Sequence, residues 1–191
     1  ASGLLTSPDQ ARGSHESHAF DFRHALVRDV VLGVLTRARL KALHRQAFLA
    51  LHAQPGATDV DAAPALAHHA FGGEEWEQAA RFAVKSMARA ISRSANQEAV
   101  QLLEKGIQAA RRVEGATTAQ TLELALRLEA IGAMLALGQI DEIFDNMERA
   151  EAIAVQLNDQ RARAAVSTET AVFLWMRGRF EQGLRYASQG L

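Results

Sequence analysis

A chain of 191 residues that is 48% hydrophobic and 23% charged has the length and apolar content to bury a real core, which excludes a disordered or collagen-like protein. A formal net charge of −1 removes the global electrostatic case for nucleic acid or an anionic membrane, because phosphate binding needs a clustered cationic surplus. With no cysteine there is no disulfide framework, thiolate metal site or cysteine nucleophile.

That cysteine usage fits a reducing compartment, so cytoplasm is the expected location. No apolar run reaches the roughly 18 to 20 residues of a bilayer span, and the opening segment lacks the basic and apolar order of a secretory signal. An excess of Ala, Leu, Glu and Arg, beside three prolines and 6% aromatics, favours helix outside the first twenty-odd residues.

In chain order, residues 1–18 are small and polar with Pro8 and Gly13 as breakers, and they read as loop. Leu4 to Thr6 and Ala19 to Arg23 flank that stretch and can pair as a short hairpin, with Phe20 and Phe22 alternating against Asp21 and Arg23. From His24 to about Ala53 the apolar positions Val27, Val30, Val31, Val34 and Leu35, then Leu40, Leu43, Ala47, Phe48 and Leu51, recur at three-and-four spacing. This predicts one or two amphipathic helices with a break at Gly33. Residues 54–61 read as a loop, Asp61 as the cap of a short helix over 62–71, and Gly72 and Gly73 as its stop.

Two further helices bury Trp76, Ala79, Ala80, Ala83, Met87 and Ala90, and Ala99, Leu103, Ile107 and Ala110. Then residues 119–137 pair with 140–157, and 161–177 with 180–191, each hinge carrying a glycine, Gly138 or Gly178. Those glycines lie 40 residues apart, and at the same offset Ile140 matches Phe180, Met147 matches Ala187 and Met134 matches Leu174. Such self-similarity is the signature of a helical-hairpin repeat. Trp76/Ala79/Ala83, Ile140/Ile143/Met147/Ala150 and Phe180/Gly183/Ala187/Gly190 resemble the second half of the tetratricopeptide repeat, although the period differs from that family's usual spacing of roughly 34 residues. The expected fold is therefore all-α: a tetratricopeptide-like, right-handed helical-hairpin solenoid over 57–191, behind a short winged-helix remnant over 1–56.

The winged-helix expectation comes from a second resemblance. Phe22, Arg23, His24, Ala25, Leu26, Val27 and Asp29, followed later by Leu43 and His44, are similar to the arm that follows the nucleotide-binding core in large bacterial signalling ATPases; Leu32 stands where that group carries Tyr. Onward to residue 191 the chain is similar to the subgroup whose full-length proteins carry an adenylate/guanylate cyclase domain. ATP-dependent regulators with a LuxR-type DNA-binding domain share the same middle. The resemblance implies a non-catalytic regulatory or protein-interaction module, with the parent's own ATPase and output domains, or a peptide or protein ligand, as partners. Its alternatives are an effector-sensing segment of a LuxR-type regulator and a structural spacer. It also makes His24 a nucleotide-sensing candidate, against the plainer reading of a packing histidine at a helix start.

No Gly-Lys-Ser/Thr loop is present, and Lys41, Lys85 and Lys105 all fall in predicted helices, so the chain is expected to hydrolyse no nucleotide and to hold no cofactor. His15 and His18, or adjacent His68 and His69, are thinkable metal ligands. Neighbouring helical residues diverge by about 100°, however, and no third ligand is evident, so no metal site is expected; His44 reads as structural. Arg37, Lys41 and Arg45 make a cationic stripe, read as a solvated face or as a dock for the missing ATPase, with direct DNA contact the remote option. Trp76 and Trp175 read as core. The final helix, with Phe180, Leu184, Tyr186 and Leu191, ends without proline, charged run or capping helix, as a piece cut from a longer chain would. It is expected to self-associate as a two-fold dimer through Phe180, Leu184 and Leu191.

Overall fold

The computed structural model describes residues 5–6, 21–22, 30, 33–56 and 59–189. Leu5–Thr6 (β1) pairs antiparallel with Asp21–Phe22 (β2), Leu5 opposite Phe22 and Thr6 opposite Asp21. Everything else of regular structure among the described residues is helix, which makes the fold all-helical but for this pair. His15, His18, His24, Gly190 and Leu191 lie outside the described residues. Among the described residues eight helices of more than one turn follow: α1 (Arg37–His52), α2 (Ala63–Gly72), α3 (Trp76–Ser92), α4 (Asn96–Ala110), α5 (Ala116–Ala136), α6 (Ile140–Gln156), α7 (Gln160–Met176) and α8 (Phe180–Gln189). None of them is long and apolar enough to cross a membrane.

Five of the seven connections use one device. A single residue adopts the left-handed conformation after the helix: Glu74 (φ 59), Ser94 (φ 58), Gly138 (φ 69), Asn158 (φ 53) and Gly178 (φ 72). The next N–H then donates back into the helix just ended. Glu75 bonds Ala70 at 2.9 Å, Ala95 bonds Ala90 at 2.8 Å, Gln139 bonds Met134 at 3.0 Å, Asp159 bonds Ala154 at 3.0 Å and Arg179 bonds Leu174 at 2.9 Å. This motif satisfies the orphan carbonyls of a helix end and turns the chain straight into the following helix. The accepting residues fall 20 apart at Ala70 and Ala90 and again at Met134, Ala154 and Leu174, so the 40-residue hairpin period divides into two helices of equal register. A β-carbon added at Gly138 would meet nothing within 4 Å. Gly138→Ala is therefore expected to lose about 1 kcal/mol through backbone conformation alone, read from the urea midpoint.

Each helix packs on its neighbour in sequence, and α5 also reaches back to α3. The core runs without interruption from Phe48 through Leu66, Phe82, Met87 and Leu126 to Ile143, Val166 and Phe173. Small side chains set its thickness, with Ala79, Ala80 and Ala83 buried on α3 where neighbouring helices approach closely. Gly106 admits α5 at close range to α4, since a β-carbon there would sit 2.5 Å from Leu126 Cδ2 and 3.1 Å from Ala83 Cβ.

α5 and α6 are tied by a buried polar network. Arg127, 5% exposed, donates to Glu123 Oε1 one turn earlier (3.0 Å from Nε) and to Asn146 Oδ1 on α6 (3.1 Å). Asn146 returns a bond from Nδ2 to the Arg127 carbonyl at 2.8 Å.

One helix start differs from expectation. Asp61 does not cap α2, whose N-cap is Ala62 with no side-chain bond; the Asp61 carboxylate instead accepts from Arg89 Nε at 2.9 Å. Pro64 in the first turn of α2 lacks the N–H that a cap would satisfy, leaving Asp61 less to bond there.

Candidate functional site

Two places on the molecule carry more than packing. The first lies where α1 crosses the end of α2. A β-carbon at Gly72 would sit 2.5 Å from His44 Cγ, and one at Gly73 would sit 2.9 Å from the Arg45 backbone nitrogen, so this pair of glycines admits α1 at close range. The approach lays the His44 ring against His68 and His69. The ring centroids form a near-equilateral triangle with sides of 5.1, 5.2 and 5.1 Å. His44 Nδ1 and His69 Nδ1 are 3.1 Å apart, a hydrogen bond in which one ring is protonated at that nitrogen and the other is not. Among the described residues this is the one group of three or more histidine, aspartate or glutamate side chains whose donor atoms are close enough to share an ion. His68 is exposed, and His44 and His69 are half-buried. His44 and His68 also line a cavity of about 430 Å³, to which α4 contributes Glu98, Leu102 and Lys105.

Burial, and after it the neighbouring His68, holds His44 below the usual histidine value of 6.5; His69 is lowered by burial first, then by His68 and His44. The rings against His44 are those of His68 and His69; Lys41 and Arg45 flank it along its own helix, and Glu98 and Lys105 share the lining of its cavity. A depressed folded value means that the unfolded chain takes up protons first as pH falls. Stability is thus fully present above pH 6.5 and declines below it, towards the lowered folded values. The urea midpoint is expected to drop between about pH 7.5 and pH 5.5, with a smaller drop in His69→Gln, which removes one of the two titrating rings. Equal drops in both proteins would contradict this.

The cationic stripe is engaged within the chain. Lys41 Nζ pairs with Glu74 at 2.5 Å and Arg45 Nε with Glu75 at 2.6 Å, both acids standing on the α2–α3 turn. A hydrogen bond from Lys41, the largest cause, lowers the Glu74 carboxyl, with burial opposing and Lys41, Arg37 and Arg112 assisting through their charge. These pairs clip α1 to the same turn that the glycines leave open to it. Of the three stripe residues, two therefore have partners in the fold. The three lysines sit in α1, α3 and α4, with Lys85 over the Phe82 ring at 5.4 Å and Lys105 on the cavity wall.

The second place is the outer face of α7 and α8. Val172, Trp175, Phe180, Leu184 and Ala187 line an apolar groove of about 520 Å³, floored by Ala171 and Gly183. Leu184 is 72% exposed, Trp175 65% and Phe180 55%. Trp175 is thus a correction to the sequence reading: it shares the helical spacing of core residues, but its side chain faces out and meets the Phe180 ring edge-on at 6.3 Å. Trp76 is half-buried, against Phe71 at 5.5 Å and beneath the Arg112 guanidinium at 4.9 Å. Forty residues before Phe180 and Leu184 stand Ile140 and Phe144, both packed on the core, and the Phe144 ring meets Phe173 of α7 at 5.1 Å. Phe144, which Phe173 of α7 covers on α6, thus corresponds to Leu184, left open on α8, while Leu135, the counterpart of Trp175, is exposed as well. Tyr186 is half-buried and lines a separate small cavity with Phe144 and Thr170.

No family model matches the chain, and no solved structure matches it. Over 117 residues, 61% of its length, the chain is 32% identical to an uncharacterized protein of Rhizobium meliloti (strain 1021), of which that match covers 11%.

Proposed function

We propose that the chain is a non-catalytic, cytoplasmic protein-interaction and regulatory module: a right-handed tetratricopeptide-like solenoid behind a winged-helix arm, belonging to a multidomain signalling protein of the cyclase-ATPase kind. Supporting the repeat is the equal register of successive helices and their shared left-handed turns. Supporting the multidomain parent is the match to a much longer relative.

The observation that carries the reading is the apolar groove of α7 and α8. Two of its residues, Phe180 and Leu184, repeat, 40 positions on, the half-buried Ile140 and Phe144, and Phe173 of the following helix packs on Phe144. Fully burying a side chain the size of Leu or Phe contributes about 1.5 to 3 kcal/mol, and three of them offset much of the cost of association. In the isolated chain the occupant is a second copy of the same face, packed as a two-fold dimer. Sedimentation equilibrium is expected to give a monomer–dimer equilibrium that Leu184→Glu abolishes without changing the helical circular dichroism. A wild-type monomer at high concentration would refute the reading.

A second reading, the effector-sensing helical segment of an ATP-dependent LuxR-type regulator, draws on the 430 Å³ cavity under His44 and His68, a volume within the range of small-ligand pockets.

A further inference from the structure

We propose that His44, His68 and His69 form a metal site of the open kind, taking a zinc-like divalent cation on three imidazole nitrogens and leaving its remaining position to the adjoining cavity. The donor set is the first ground. Three imidazoles with no carboxylate among them suit zinc, copper or nickel, and are poor ligands for calcium or magnesium.

Geometry is the second ground. Zinc–nitrogen bonds of about 2.0–2.1 Å at tetrahedral angles place two donor nitrogens about 3.3 Å apart. The Nδ1 atoms of His44 and His69 stand at 3.1 Å, and the donor atoms of all three rings lie within 4.8 Å of one another. His68 must close the remaining gap, and its ring is exposed and so has room to rotate. The rings meet at 47° to 75° rather than stacking, so their edges, where the nitrogens lie, can converge.

Electrostatics is the third. The cations closest along α1, Lys41 and Arg45, are neutralised by Glu74 and Glu75. The cavity then supplies what a closed structural site lacks: space for water or an exogenous ligand on the fourth position, with Glu98 and Lys105 also in its lining. A bound ion would clasp α1 to α2, fixing the arm against the helical body.

The test uses the full chain stripped of metal by a chelator, with Co²⁺ as the spectroscopic probe and Zn²⁺ as competitor. One equivalent of Co²⁺ is expected to produce visible absorption that Zn²⁺ removes. At about a hundredfold excess over its dissociation constant, Zn²⁺ should raise the thermal midpoint by about 5–10 °C. Loss of an outer-shell partner alone costs about 10- to 100-fold in affinity, so His68→Ala, which removes an exposed ligand and leaves packing intact, should weaken Zn²⁺ at least tenfold. His44→Gln should do the same, and circular dichroism reports whether that variant still folds. His15→Ala/His18→Ala should leave binding unchanged. Absence of both absorption and a thermal shift, or affinity undiminished in His68→Ala, overturns the site.

Discussion

Glu123→Ala is expected to destabilise the chain by about 3 kcal/mol, measured by urea unfolding, because it strands the Arg127 guanidinium inside the fold. The side chain of Arg127 is 6% exposed and that of Glu123 18%, so solvent screens this pair far less than it does Arg45 and Glu75 at the surface. With the carboxylate gone, the guanidinium keeps only the Asn146 oxygen at 3.1 Å as a partner. Replacing the pair by Glu123→Leu with Arg127→Met should recover only part of the loss, since the apolar groups need no partner but the buried Asn146 oxygen loses its donor; adding Asn146→Leu should recover more. A loss below about 1 kcal/mol for the single substitution would contradict the role given to the network.

Gly106→Ala sets two effects of opposite sign against each other. Helix propensity alone makes it stabilising by about 0.5–1 kcal/mol. The new methyl, however, would lie 2.5 Å from Leu126 Cδ2 and 3.1 Å from Ala83 Cβ, and Leu126 is completely buried with no route to retreat. Overpacking of this kind costs about 1–3 kcal/mol, and it decides the sign: Gly106→Ala is expected to destabilise, and Gly106→Val to destabilise more. Combining Gly106→Ala with Leu126→Ala should cost less than the sum of the two, because the second change makes room for the first. A stabilised Gly106→Ala would mean that α4 and α5 are not in such close contact.

Much of this architecture is readable before any coordinates. Apolar spacing and two glycines 40 residues apart locate α5 to α8 to within a few residues, because a strong amphipathic period and a left-handed stop are both local signals. The same stop at Asn158, midway between those glycines, falls on a residue type that tolerates the left-handed region, whereas at Glu74 and Ser94 residue type gives no sign of it and only the repeat register does. Arg127 with Glu123 looks like an ordinary surface pair one turn apart; the clue lies in Leu122, Leu124, Leu126 and Leu128, which make α5 apolar on every side. Trp175 fails for the opposite reason. Periodicity tells which residues share a face, and a face can be apolar without having a partner to cover it. The histidine cluster is hidden by sequence separation, His44 and His69 lying 25 residues apart, and what joins them is the passage past Gly72 and Gly73.

The central claim, that the α7–α8 groove is a binding face, is tested most directly by the side chain that lines it. Two tryptophans are present, so Trp76→Phe leaves Trp175 as the only indole. As protein concentration rises through the range of association, Trp175 emission should move to shorter wavelength and its quenching by acrylamide should fall, with neither change occurring once Leu184→Glu is added. Emission that stays water-like at every concentration, or a shift that survives Leu184→Glu, would contradict the account.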